Sequence, residues 1–260
     1  MNRLDHALSP NGRPRLVTYV TAGDPDHARS RDVLRALVRG GADVIEVGVP
    51  FSDPIADGPV IQRASERALA AGTTLASTLD LVAEVRGELS IPIVLFTYVN
   101  PVIRMGVDVF VRRASEAGVD GVLLLDLPIE ESAEMHDALD SRSIDQIFLV
   151  SPTTTDARLA EAARLGRGFL YAISRLGVTG ARATMAASAA PLAARIRAAS
   201  SLPIALGFGI STPAHVKEVT AYADAAVVGS ALVQVIADAA RAGKDVAAEV
   251  ERFVGWLKGA

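Results

Sequence analysis

The chain has no cysteine among its 260 residues. Disulfide staples, thiolate nucleophiles and cysteine-ligated metals are therefore excluded. Histidine is scarce too: His6, His27, His136 and His215 lie on helical or N-terminal stretches without metal-ligand spacing, and surface positions are expected for them. No stretch approaches the ~20 apolar residues of a membrane-crossing helix. The opening MNRLDHALSP puts polar residues where a secretory leader needs an apolar run, so a cytoplasmic location is expected. There is no large excess of one charge sign. A formal net charge of −4 gives no electrostatic reason to expect nucleic acid or an anionic membrane as partner.

What is present is apolar and repetitive. Half the residues are hydrophobic and 22% are charged, enough for a sizeable core. Short apolar runs alternate with amphipathic, alanine-rich segments. The strand candidates are LVTYVTA (16–22), DVIEVGV (43–49), IPIVLFTY (91–98), DGVLLLDL (120–127), IDQIFLV (144–150), GFLYAIS (168–174), LPIALGF (202–208) and DAAVVGS (224–230). Helical patterns fall between them, as at His27–Arg39, Val107–Ala117, Glu130–Ser141 and Pro213–Ala221. Such alternation implies parallel pairing, and strands apolar on both faces imply a sheet covered on both sides.

Eight such units predict an α/β fold, a single (β/α)8 TIM barrel spanning residues 1–260, with an additional N-terminal helix. An internal echo (SIPIVL at 90–95 with SLPIAL at 201–206) fits half-barrel repetition. The competing open, doubly wound sheet would need a nucleotide loop after its first strand. TAGDPDHA (21–28) is not G-x-G-x-x-G, and no G-x-x-x-x-G-K-[ST] occurs. No linker divides the chain. Two connections are long, PFSDPIADGP (50–59) after strand two and RLGVTGARATMAASAAP (175–191) after strand six. Both leave C-terminal strand ends, where barrel enzymes build their sites.

Two features carry chemistry. After strand seven comes GFGISTP (207–213), and after strand eight GSAL (229–232). Glycine turns beside helix N-termini present free N–H groups and positive dipole ends to a phosphate, although ordinary turns use the same residues. The second feature is an acid inside a strand. In DVIEVGV, Ile45, Val47 and Val49 share one face, which leaves Glu46 on the other, toward the barrel interior. Apolar surroundings would raise its pKa toward neutrality and make it a usable proton donor and acceptor. Asp53 and Asp57 follow in the loop, and local turn chemistry does not choose between them. Asp126, ending LLLD, has a similar claim to interior placement.

Together, IEVGVPFSDPIADGPVIQ (45–62), TAGDP (21–25), YAISRLGVTG (171–180) and GFGIS (207–211) resemble the tryptophan synthase α-chain family, in family order across nearly the whole chain. The resemblance implies retro-aldol cleavage of indole-3-glycerol phosphate to indole and glyceraldehyde 3-phosphate. It implies that Glu46 transfers the protons and that Asp57, rather than Asp53, stabilises the indole N–H. By the same resemblance, Tyr171 and Thr179 support catalysis, and Gly180, Phe208, Gly209, Gly229 and Ser230 bind phosphate. Tyr19, Phe96 and Leu123 would line the indole pocket, although the family often has Phe or Leu at the first two. Pro54 and Asn100, in the YVNP turn (98–101), match the side that docks on a pyridoxal-phosphate β chain in an α2β2 heterotetramer. No cofactor is expected in this chain itself. A free-standing lyase and a catalytically silent, ligand-binding regulatory chain remain as alternatives.

Overall fold

The computed structural model describes residues 2–9, 13–173, 188–207 and 209–259. Among them, eight strands alternate with helices: β1 (Arg15–Thr21), β2 (Val44–Gly48), β3 (Ile93–Thr97), β4 (Gly121–Leu124), β5 (Asp145–Val150), β6 (Leu170–Ile173), β7 (Ile204–Gly207) and β8 (Ala225–Val228). The helices are α1 (Arg3–Leu8), α2 (His27–Arg39), α3 (Pro59–Ala70), α4 (Leu75–Arg86), α5 (Val99–Met105) and α6 (Val107–Ala117). They continue with α7 (Ala133–Asp140), α8 (Asp156–Leu165), α9 (Ala189–Ala199), α10 (Pro213–Val219), α11 (Ser230–Arg241) and α12 (Val246–Lys258). No single helix among the described residues is long and apolar enough to cross a membrane.

The strands pair in parallel in the order β1 to β8, and β8 closes on β1 with Arg15 opposite Ala225. All eight expected strands are present; β1 starts one residue earlier than expected, and the other seven are trimmed at their ends. The helical patterns at His27–Arg39 and Val107–Ala117 match α2 and α6 residue for residue. The pattern at Glu130–Ser141 divides into a 3₁₀ turn, Ile129–Glu131, and α7. The expected YVNP turn is instead the start of α5. Pro101 falls in its first turn, where a missing N–H costs the helix nothing.

Strand periodicity sorts the core into two shells. Ile45, Val47, Ile93, Leu95, Val122 and Phe148 face outward into the layer shared with the helices. Val17, Val44, Val94, Leu123, Ile147 and Ala205 face inward. Leu4 and Leu8 of α1 join this inner cluster and are essentially inaccessible to solvent. They enter from the side where the strands begin, and polar contacts at the same end fix the helix. Asn2 caps α1, and its Nδ2 donates to Asp145 Oδ2 at 2.6 Å at the start of β5. Arg3 pairs with Asp120 at 2.8 Å, just before β4. The N-terminal helix is thus a plug, and the other end of the barrel is left for the site.

Candidate active site

Glu46 lies in the middle of β2, opposite Tyr19 on β1 and Val94 on β3. It is fully buried and faces inward as its strand parity predicts. Neither carboxylate oxygen has a hydrogen-bond partner among the described residues. Burial alone pushes the carboxyl from its ordinary 4.5 up to about 8. The chain accommodates an unpaired acid inside a strand by keeping it neutral at pH 7.

Aromatic rings enclose the space above. Tyr19 meets Phe96 edge to face with centroids 5.1 Å apart, and Phe96 meets Tyr171 at 6.4 Å. Two glycines make room for the phenols. A Cβ on Gly48 would overlap the Tyr19 hydroxyl, and one on Gly207 would lie 2.7 Å from the Tyr171 hydroxyl. Burial holds both phenol pKa values well above the ordinary value, so both stay protonated. The charges of Asp57 and Glu46 act on both hydroxyls, so the two carboxyl groups share one mouth. Leu123 pairs with Phe96 in register and is fully buried in the inner cluster.

The loop after β2 separates its two aspartates. Asp53 is exposed and accepts the Ser52 hydroxyl at 2.7 Å. Asp57 is only 5% exposed. Tyr98, at the end of β3, donates its hydroxyl to Asp57 Oδ2 at 3.0 Å and accepts the Ala56 N–H at 3.1 Å. Its ring stacks on Phe51 at 4.8 Å, and the Gln62 amide donates to the Asp57 carbonyl at 2.9 Å. Burial raises the Asp57 carboxyl to about 6, against the opposing pull of the Tyr98 hydrogen bond. At pH 7 the mouth therefore holds a neutral Glu46 and an ionised Asp57.

Asp126 does not join them. It is exposed, and its Oδ1 accepts the Val99 N–H at 2.7 Å, satisfying a free amide at the start of α5. Leu123 and Leu125 take the inward positions of this strand, and one further residue turns the side chain outward. His215 also departs from expectation. It is buried, and its Nδ1 accepts the Ser211 N–H at 3.3 Å while Thr212 caps its helix. His6 is exposed, and His27 and His136 are partly buried. Among the described residues no group of His, Cys, Asp or Glu is placed to hold a metal ion.

At the ends of β7 and β8, Gly209 takes φ +81°, and Gly229 precedes Ser230, the first residue of α11. No side chain caps α11 among the described residues, so its first amides are not taken by a capping side chain. On the segments leaving β2 and β3, Pro54 is partly buried and Asn100 is exposed. Ile55 and Ile103 beside them are 81% and 63% exposed. Thr179, Gly180 and Phe208 lie outside the described residues, as does the 175–187 part of the 175–191 connection.

These features can be set against known proteins. The family model described as tryptophan synthase alpha chain matches residues 6–260. The chain belongs to the tryptophan synthase alpha chain family. The tryptophan synthase alpha chain of Solibacter usitatus is 48% identical over 258 residues, 99% of this chain and 96% of its own. That of Geobacter sulfurreducens is 51% identical over 242 residues, 92% of each chain. Among solved structures, tryptophan synthase subunit alpha from Legionella pneumophila superposes with TM-score 0.90 at 36% identity, covering 100% of this chain and 98% of that one. A chain of Mycobacterium tuberculosis tryptophan synthase gives 0.90 at 38% identity, covering 99% and 95%.

The TAGDP stretch, one of the segments carrying the resemblance to tryptophan synthase alpha chains, has a structural part that sequence spacing did not reveal. Asp24 is 2% exposed and accepts two hydrogen bonds from Arg67 of α3, at 2.7 and 2.9 Å. This bidentate pair ties the loop after β1 to the helix that follows the Asp57 loop. Burial still leaves the Asp24 carboxyl above its ordinary value, with Arg67 pulling it down. Arg67→Met should cost about 3 kcal/mol at pH 7, because a buried carboxylate loses its partner. The loss should shrink as falling pH protonates Asp24. Urea midpoints at pH 5 and 7.5 measure it, and an unchanged midpoint at both would show that the pair does not anchor the loop. The Tyr98–Asp57 contact, and the room that Gly48 and Gly207 leave for the two phenols, also escaped the sequence reading, because each acts through a neighbouring strand.

Proposed function

We propose that the chain, acting as one barrel domain, cleaves indole-3-glycerol phosphate by a retro-aldol reaction. One observation carries the assignment of its acid: a fully buried Glu46 with no hydrogen-bond partner, poised near pH 8 inside the mouth. The bond that breaks joins indole C3 to the side-chain carbon bearing the hydroxyl. C3 gains a proton as that hydroxyl loses one, giving indole and glyceraldehyde 3-phosphate with no net change in protons.

Neutral Glu46 supplies the proton to C3, which interrupts the aromaticity of the pyrrole ring and places positive charge on the ring N–H. Ionised Asp57 stabilises that charge. Once deprotonated, Glu46 accepts the hydroxyl proton, so one group serves both transfers. Tyr19, Phe96 and Leu123 bound the indole, and Tyr171 lines the reacting side. The turns at Gly209, Gly229 and Ser230, with Gly180 and Phe208, hold the phosphate through backbone N–H groups. By the family resemblance alone, Thr179 supports Asp57. These assignments combine the geometry of the mouth with the family resemblance.

We place Pro54 and Asn100 on the face that docks a pyridoxal-phosphate-dependent β chain, in an α2β2 heterotetramer that uses the indole to make tryptophan. The exposed Ile55 and Ile103 on the same two segments support this face. The chemistry of pyridoxal phosphate would belong to the partner chain.

Indole release from indole-3-glycerol phosphate, by the chain alone and with a tryptophan synthase β chain, tests the reading. Slow release alone and strong stimulation by the partner are expected. Fast release indifferent to the partner would mean a free-standing lyase. No release from a folded chain under either condition would remove the catalytic reading and leave a binding or regulatory chain.

A further inference from the structure

Tyr98 is buried to 2% exposure, and a phenylalanine would satisfy the packing around its ring. The hydroxyl is what needs explaining. Its acceptor side is taken by the Ala56 N–H at 3.1 Å, which aims its own proton at Asp57 Oδ2, 3.0 Å away. An ionised carboxylate can only accept, so the three groups form a one-way chain from backbone amide to phenol to carboxylate. Tyr98 provides the one side-chain hydrogen bond that the Asp57 carboxylate receives among the described residues. The ring that presents this hydroxyl is clamped by Phe51, from the opposite end of the same loop.

We propose that Tyr98 is a positioning residue for the cleavage reaction, whose hydroxyl holds the Asp57 carboxylate ionised and directed into the mouth. It acts on the substrate only through Asp57, and in that respect the inference rests on the role given to Asp57 above. Glu46 from β2, Tyr19 from β1 and Tyr171 from β6 are the other titratable groups around the mouth, and Asp126 from the end of β4 faces Tyr98. Below pH 8 the first three are neutral, so the field that Asp57 feels there is set mainly by Tyr98.

The test is Tyr98→Phe, with kcat and KM followed from pH 5 to 9, alone and in an Asp57→Asn background. Without the donor, the Asp57 carboxyl should rise by about one unit. Then kcat should fall about fivefold at pH 6, recover toward wild type above pH 8, and leave KM within about twofold. In the Asp57→Asn background, Tyr98→Phe should change kcat by less than about twofold, because the two residues act as one unit. A profile that overlays wild type would overturn the proposal. So would a loss equal at every pH that persists in the Asp57→Asn background, since that marks a structural role. A ¹³C titration of the Asp57 carboxyl in wild type and Tyr98→Phe, assigned by its absence in Asp57→Asn, needs no turnover. If wild type released no indole, this titration would still decide whether Tyr98 holds Asp57 ionised, and an unchanged midpoint would overturn that.

Discussion

Glu46→Gln is expected to reduce indole release by about 10³-fold while making the barrel more stable. The two effects have one origin. The carboxyl is useful because it is dry and unpartnered, and for the same reason its charged form is disfavoured in the folded chain. The sign follows from the two pKa values, 4.5 ordinarily and about 8 folded. Between them the unfolded chain has lost a proton that the folded chain keeps, so stability contributed by this group falls as pH rises. Glutamine keeps the shape and cannot ionise. Its stabilising effect should therefore be about 1 kcal/mol near pH 5 and grow to several kcal/mol by pH 8. Urea unfolding at the two pH values, with single-turnover indole release beside it, reads both quantities. An active Glu46→Gln chain would remove the residue from the chemistry. A stability difference independent of pH would mean that the carboxyl is not buried uncharged.

Asp57→Asn should cost about 10²-fold in kcat, the scale of losing one oriented electrostatic contact to developing charge. The substitution separates charge from geometry. An asparagine oxygen can still accept the Tyr98 hydroxyl at the 3.0 Å position, so KM should change little. The wild-type rate should rise with pH through about 6, where Asp57 ionises, and fall through about 8, where Glu46 does. In Asp57→Asn the limb near 6 should vanish and the upper limb should stay. Persistence of the lower limb would assign it to another group. Asp57 also has its folded pKa raised, from 3.8 to about 6, so stability falls as pH climbs through that window. Asn should relieve this, by less than Gln does at Glu46.

Much of this was legible in the sequence because it depends on local periodicity. The alternation of Val44, Glu46 and Gly48 against Ile45 and Val47 placed the acid inside before any packing was known. The bounds of α2 and α6 followed from amphipathic spacing between the apolar runs. What was not legible depends on partners far along the chain. Asp53 and Asp57 have equally good turn chemistry; burial by Tyr98, 41 residues away, distinguishes them. Asp126 was misjudged because the strand's inward set ends at Leu125, so the next side chain turns out to cap α5. The proline of YVNP suggested a turn, yet a first helical turn tolerates it equally well. The Asp24–Arg67 pair spans 43 residues and leaves no mark in spacing.

The plug formed by Leu4 and Leu8 has a consequence for traffic. Among the described residues the base is plugged and the lumen opens at the far rim, a cul-de-sac rather than a corridor. Substrate must arrive, and both products depart, over the same rim that carries Ile55, Asn100 and Ile103. A protein seated on that rim would become the gatekeeper of everything the chamber releases. Handing over a product would then need no passage bored through the barrel, only a fitted cover on its one opening.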